Sequence, residues 1–339
     1  MGIALSHTLP FMVTRILVRK FARDIRPALA VVCLLLFLFS AMWVKIAQRV
    51  TTEISPVFNT IFKSALPGVN PKVIEKILFK GPGRVSQAVL GGADIQFERP
   101  QDFLAVAMLH PVVLILICIW AVGRSAGAIA GELDRGTMEL LLSQPVPRSR
   151  LLLAHLIVDL AAIACIALAV FAGTQTGLAL VGPFVVDYSI LKELPIRVTI
   201  PEQPEILAVT GLPQFPALAN LAALMFAISG VTMAFSAAGR SRWRVVGLSI
   251  LVVMVMFSMN VIGQLWDSAA FLRPFTLFYY YQPQRIMLKD QWTADLGDVW
   301  NHEQPLLQIP VVGVLLAVGV MGYLVAWRIF TRRDLPAPL

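Results

Sequence analysis

The sequence predicts an all-α polytopic membrane protein: six transmembrane helices, an N-terminal interfacial helix, a short cytosolic helix and a small extracytoplasmic loop subdomain. Composition is the first ground. Hydrophobic residues make up 58 % of the 339-residue chain and charged ones only 14 %, against about 45–50 % and about 25 % in soluble domains. The second ground is that the apolar residues fall in six runs near the ~20 residues a helix needs to cross a bilayer. These runs are too long for barrel strands and do not alternate, and only helices or closed barrels satisfy their backbone groups in lipid. The third is that basic residues collect between alternate runs.

The first element, residues 1–26, carries Arg15, Arg19, Arg23 and Arg26 at three- to four-residue intervals, on one helical stripe. Phe11, Met12, Ile16, Leu17, Phe21 and Ile25 favour other faces. That pattern suits a cytosolic amphipathic helix in the headgroup layer, the alternative being an ordinary charged flank that sets topology. The six-span domain fills residues 27–339. Its spans run from Pro27 to Val44, Phe103 to Val122, Leu151 to Phe171 (extendable to Leu180), Ala217 to Ala238, Val245 to Trp266 and Leu306 to Trp327. The charged lead of the first span is too long for a signal peptide and no small-residue cleavage site follows, so it reads as a retained anchor. His110-Pro111 predicts a kink in the second span.

Orientation follows from the basic residues. With the N-terminus in the cytosol, the short inner segments hold 15 basic and 5 acidic residues, and the outer segments 13 and 14. The net charge of +8 is thus a topology signal that points to membrane lipid and away from nucleic acid. Cys33, Cys118 and Cys165 all fall in spans without metal-type spacing.

Three outer loops are long: 45–102, 182–216 and 267–305. Asn70-Pro71 reads as the start of a helix over Lys72 to Phe79, and Ser55 to Leu66 as another short helix. Ile196 to Ile200 alternate as in a short strand. Phe278-Tyr279-Tyr280-Tyr281 fits an aromatic belt or an outer-face helix.

Enzyme motifs are absent: the chain has no GxxxxGK[ST], HExxH, GxSxG, GxGxxG or CxxC. It therefore cannot bind ATP in the phosphate-loop mode by itself, and no metal or cofactor of its own is expected. His155 and Asp159 lie four apart on one face of the third span. Ionisable groups in a span usually face a bundle interior or an aqueous path. The pair reads either as a substrate or proton route or as an interhelical bond.

The inner segment 124–150 is the most informative. Arg124 closes the second span, and its helix is expected to continue through Ala128 to Asp134 until Gly136 breaks it. Thr137 is a plausible N-cap, with Glu139 in the first turn. Met138, Leu140, Leu141 and Leu142 form a short apolar turn, and Pro145 and Pro147 force an exit. Such a leucine cluster suits either a protein groove or packing on its own bundle.

The pattern Gly131-Glu132-x-Asp134-Arg135-Gly136-Thr137-x-Glu139-Leu140-Leu141-Leu142-Ser143-x-Pro145-Val146-x-Arg148 resembles the signature of the permease subunits of second-type ABC exporters. In that family it follows the second of six spans, as here. The resemblance implies that Glu132, Asp134, Arg135, Gly136, Thr137, Glu139, Leu140, Leu141 and Leu142 form a coupling helix that docks on a separate ABC ATP-binding subunit. It also implies that ATP and Mg are held by that partner, that a second permease copy pairs with this chain, and that the chain sits in the cell (inner) membrane with both termini cytosolic. His155 and Asp159 are the candidates for a translocation path, the interhelical bond staying open as the other reading. Two departures stand out: His155 replaces a lysine common in the family, and the first outer loop is long. The alternative is a scaffold or force-transmitting subunit acting on an extracytoplasmic partner.

Overall fold

The computed structural model describes residues 3–65, 99–143, 146–189, 191, 205–211, 214–299 and 307–333. Among the described residues six helical stretches are long and apolar enough to cross a membrane. The first is α1 (Ile3–Arg49), continued by a π-helical turn (Val50–Ile54) and α2 (Ser55–Ala65). The second comprises α3 (Pro100–Leu109) and α4 (Pro111–Ala128). Two short helices follow, α5 (Ala130–Asp134) and α6 (Thr137–Leu142). The remaining spans are α7 (Arg148–Val181), α8 (Gln214–Ala238), α9 (Arg242–Leu265) and α11 (Val311–Arg332), with the short α10 (Pro283–Lys289) before the last. Two small antiparallel pairs lie at the end of the bundle away from the basic segments: β1 (Phe184–Val185) with β2 (Ile206–Leu207), and β3 (Thr293–Asp295) with β4 (Gln308–Pro310).

Three boundaries differ from the sequence reading. The basic segment is helical, but it runs into the first span without a break at Pro27. The resulting helix of 47 residues reaches about 70 Å at ~1.5 Å per residue. The third span takes the longer option, 34 residues to Val181. The last span starts at Val311, because Gln308–Pro310 pair with β3 and Pro310 sits at the helix N-cap. The short helix at Ser55 is present, ending at Ala65. The expected helix at Lys72 to Phe79 and strand at Ile196 to Ile200 lie outside the described residues.

The kink in the second span occurs at His110, and its chemistry is complete. Pro111 has no N–H to give to Ala107, so the His110 N–H takes that carbonyl at 3.3 Å. His110 Nδ1 accepts from the Val112 N–H at 3.2 Å, capping α4. That leaves the Met108 carbonyl free for the Tyr281 hydroxyl, which donates to it at 2.7 Å. The Phe39 and Trp43 rings hold His110 from α1, with centroids 5.0 and 4.9 Å away.

Phe278 to Tyr281 do not form an aromatic belt. Leu277–Tyr279 make a 3₁₀ turn, and all four aromatics are buried. Asn220 on α8 anchors the turn: its amide donates to the Tyr280 carbonyl at 2.9 Å and its oxygen accepts from the Gln282 N–H at 2.8 Å. A buried asparagine with satisfied groups outcompetes the headgroup layer for these rings.

Helix α8 is the centre of the bundle. It is apolar around its whole circumference, as a helix buried on all sides must be, and Leu221, Leu224, Met225 and Ala227 are almost fully buried. Helices α1 and α9 are peripheral. Val31, Leu34, Leu38 and Met42 of α1 and Leu251, Met254 and Val255 of α9 are exposed, as lipid-facing side chains are.

Two helix pairs approach at glycine. A Cβ at Gly173 or Gly177 of α7 would lie 2.3 Å from the Phe37 carbonyl oxygen or 2.7 Å from that of Ala41 on α1. A Cβ at Gly230 of α8 would lie 2.3 Å from the Gly319 carbonyl oxygen of α11. With no water to drive association in lipid, such close backbone contact is a main source of helix affinity.

Candidate functional site

The end of the bundle that gathers the basic inner segments carries the candidate site. Helix α4 does not continue to Asp134 as the sequence suggested. It breaks at Ile129 (φ −111°), because Ser236 of α8 competes for its backbone. The Ser236 hydroxyl accepts from the Ile129 and Ala130 N–H groups at 3.2 and 3.0 Å and donates to the Ala126 carbonyl at 3.1 Å. The central helix thereby holds the start of α5. Removing that hydroxyl leaves buried backbone groups unpaired, at about 1–3 kcal/mol. Ser236→Ala should lose that much unfolding free energy in detergent, measured by denaturant titration.

Gly136 then reverses the chain with φ +69°, a conformation that costs glycine little. Thr137 is the first residue of α6 and not its acceptor cap. Its hydroxyl donates to Glu132, reaching the backbone carbonyl at 3.2 Å and the carboxylate. Arg135 pairs with the same carboxylate at 2.7 Å. Glu132 therefore staples the turn between α5 and α6, while exposed Asp134 makes no such contact. Met138 is 1 % exposed and roots α6 in the core, whereas Leu140 is 72 % exposed. Glu139, Leu141 and Leu142 belong to α6 by backbone position.

Two arginines tie this end together. Arg148, at the start of α7, donates to the carbonyls of Phe330 and Arg333 at 3.2 and 2.5 Å. Arg333 donates to those of Ala237 and Gly239 at 2.9 and 2.8 Å. Both satisfy carbonyls at helix C-termini, where a cation also suits the dipole. Burial first, and then neighbouring Arg240, lowers the Arg333 pKa from its usual value.

One level deeper lies a buried ionic cluster. His155 and Asp159 face inward on α7 and are each 2 % exposed. Arg124 of α4 meets both: its Nε is 3.2 Å from Asp159 Oδ1 and an Nη is 2.9 Å from His155 Nδ1. The Tyr323 hydroxyl of α11 donates to Asp159 Oδ2 at 2.7 Å. Phe21 of α1 stacks on the His155 ring, centroids 4.0 Å apart. The cluster joins four spans. In the sequence Arg124 is only a charged flank of the second span, and nothing there pairs it or Tyr323 with Asp159. Ser236 gave no signal within its apolar run. The Gly173-x-x-x-Gly177 spacing was a readable sign of the α1–α7 contact.

Above the short helices opens a cleft of about 380 Å³, lined by α1, α4, α5, His155 and Arg242. Among the described residues no group of His, Cys, Asp and Glu has a metal-binding arrangement.

The family model for the ABC-2 family transporter proteins matches residues 58–335. The chain belongs to that family. No curated protein and no solved structure matches it. This ABC-2 family protein is accordingly a multi-pass membrane permease, a transport component of an ABC transporter. The match spans segment 124–150, the cluster residues Arg124, His155, Asp159 and Tyr323, and the last five spans.

Proposed function

We propose that this ABC-2 permease is an exporter subunit driven by a separate ATP-binding subunit, which docks on the α5–Gly136–α6 element from the cytosol. The carrying observation is that element itself: stapled by Glu132, rooted by Met138 and presenting Leu140 outward at the basic end of the bundle. The excess of basic residues supports placing that end, and both termini with it, on the cytosolic side of the cell membrane. An exposed leucine on a rigid short helix suits a groove in a soluble partner.

Two permease copies and two ATP-binding subunits make the working assembly, and ATP with Mg belongs to the partner. ATP-driven closure of the partner displaces α6. Ser236 passes that displacement to α8, and Arg148 and Arg333 pass it to α7 and α11. The permease alternates between two arrangements of its spans. A translocation path past His155 and Asp159 opens when α4 and α7 part and separate Arg124 from Asp159.

The expected result is that the permease co-purifies with its ATP-binding subunit and that Leu140→Asp with Leu141→Asp abolishes that association while leaving the permease folded. Undiminished assembly in the double variant contradicts the docking assignment.

A further inference from the structure

The cleft above α5 is amphipathic along its length. On α1, Phe21, Asp24, Ile25, Ala28 and Val32 line it, and the run from Phe21 to Val32 covers about 16 Å at ~1.5 Å per residue. The deeper half is apolar: Ile25, Ala28 and Val32 face Ile119 and Trp120 of α4. The half nearest the basic end holds Arg124, Arg135 and Arg242, with Glu132 and Asp24. Ala28 and Ile119 on the rim are exposed, so the cleft opens on the outer surface of the bundle at the depth of the spans.

Its polar half has donors to spare. Arg124 and Arg135 already pair with Asp159 and Glu132. Arg242 makes no ion pair or hydrogen bond among the described residues; its Cδ lies 3.6 Å from where a Cβ would stand on Gly131 and its Nε 3.8 Å from one on Gly127. Asp24 and Glu132 are the carboxylates of the lining, and the Lys20 ammonium lies beside it, 5.7 Å from the Phe21 ring. His155 adds a second donor. Arginine only donates, so His155 Nδ1 accepts from Arg124 and the ring proton sits on Nε2. That nitrogen is buried and without a hydrogen-bond partner, although the residue lines the cleft. A buried donor without an acceptor is costly.

Space is available as well. A Cβ at Gly123, in the middle of the lining, would meet nothing within 4 Å. A basic pocket between spans near the cytosolic surface, with an apolar slot running from it, is suited to a phospholipid: phosphate at the arginines and acyl chain along the slot.

We infer that the cleft between α1 and α4 binds one anionic phospholipid, with its phosphate held by Arg242 and the His155 Nε2–H and its acyl chain against Ile25, Val32, Ile119 and Trp120. The lipid fills the gap between the N-terminal helix and the start of the coupling element, so its occupancy biases how α1 and α5 pack.

The test uses the full-length permease in detergent, stripped of lipid and offered phosphatidylglycerol or phosphatidylcholine at equal mole fraction. Retained lipid is counted by native mass spectrometry. One phosphatidylglycerol per chain is expected on the wild type, with at least fivefold lower occupancy by phosphatidylcholine. Arg242→Gln, which removes the unpaired charge, and Gly123→Leu, whose Cβ meets nothing within 4 Å and whose side chain enters the slot, should each lower phosphatidylglycerol occupancy at least fivefold. Equal retention of the two lipids, wild-type retention in both variants, or occupancy by millimolar inorganic phosphate with no retained lipid overturns the inference. Co-purification of the ATP-binding subunit, scored in the same samples, reports separately on docking.

Discussion

Asp159→Ala is expected to destabilise the folded permease by about 3–5 kcal/mol, the cost of leaving a buried charge without its partner. Arg124 is the reason. Its side chain is 10 % exposed and its Nε faces Asp159 at 3.2 Å. Removing the carboxylate also strands the Tyr323 hydroxyl, which donates to Asp159 at 2.7 Å. The pair as a whole need not stabilise the fold, since desolvation of two ions offsets much of their attraction. A double variant therefore separates the terms. Arg124→Met combined with Asp159→Leu removes both charges, and most of the lost stability should return. The measurement is denaturant unfolding in detergent for Arg124→Met, Asp159→Leu and the two combined. Additive losses would show that the two side chains do not interact, and the cluster would then lose its role as the joint of four spans.

Gly230→Val is expected to cost about 3 kcal/mol or more, at the upper end of overpacking effects. The obstruction is backbone: a Cβ there would stand 2.3 Å from the Gly319 carbonyl oxygen, and the atoms of Gly230 lie equally close to a Cβ on Gly322. No side chain can rotate away to relieve it, so α8 and α11 must separate. Separation would also disturb the Phe226–Tyr323 stack, whose centroids are 5.4 Å apart, and through Tyr323 the buried cluster. Gly247→Ala on α9 is the control. Nothing lies within 4 Å of its Cβ, and alanine favours a helix by about 1 kcal/mol over glycine. Thermal unfolding of the two variants should move in opposite directions.

How much of this was readable in the sequence depends on the range of the interaction. The six spans were legible because hydropathy is additive along the chain, and the kink at His110-Pro111 because proline acts on its own neighbours. The signature from Gly131 to Arg148 was legible as a pattern, and Gly136 as its turn. The partners that shape it were not. Ser236 breaks α4 at Ile129 from 107 residues away, so local propensity alone extended that helix to Asp134. Thr137 could be assigned to the helix start, but not its bond to Glu132. The aromatic run at Phe278 looked like an interfacial belt because burial by Asn220 and α8 is a tertiary effect. His155 and Asp159 were placed on one face correctly, while the cation that joins them came from another span.

The central claim, that α6 is where an ATP-binding subunit docks, is tested most directly by site-specific cross-linking. Cys33, Cys118 and Cys165 are replaced by serine, and a single cysteine is placed at Leu140 or, at the opposite end of the bundle, at exposed Ile206. The permease is co-expressed with its ATP-binding subunit and treated with a short thiol-to-amine cross-linker. A cross-link to the ATP-binding subunit from Leu140→Cys and none from Ile206→Cys is the predicted result. An assembled complex that hydrolyses ATP yet cross-links only from Ile206→Cys, or from neither position, would contradict it.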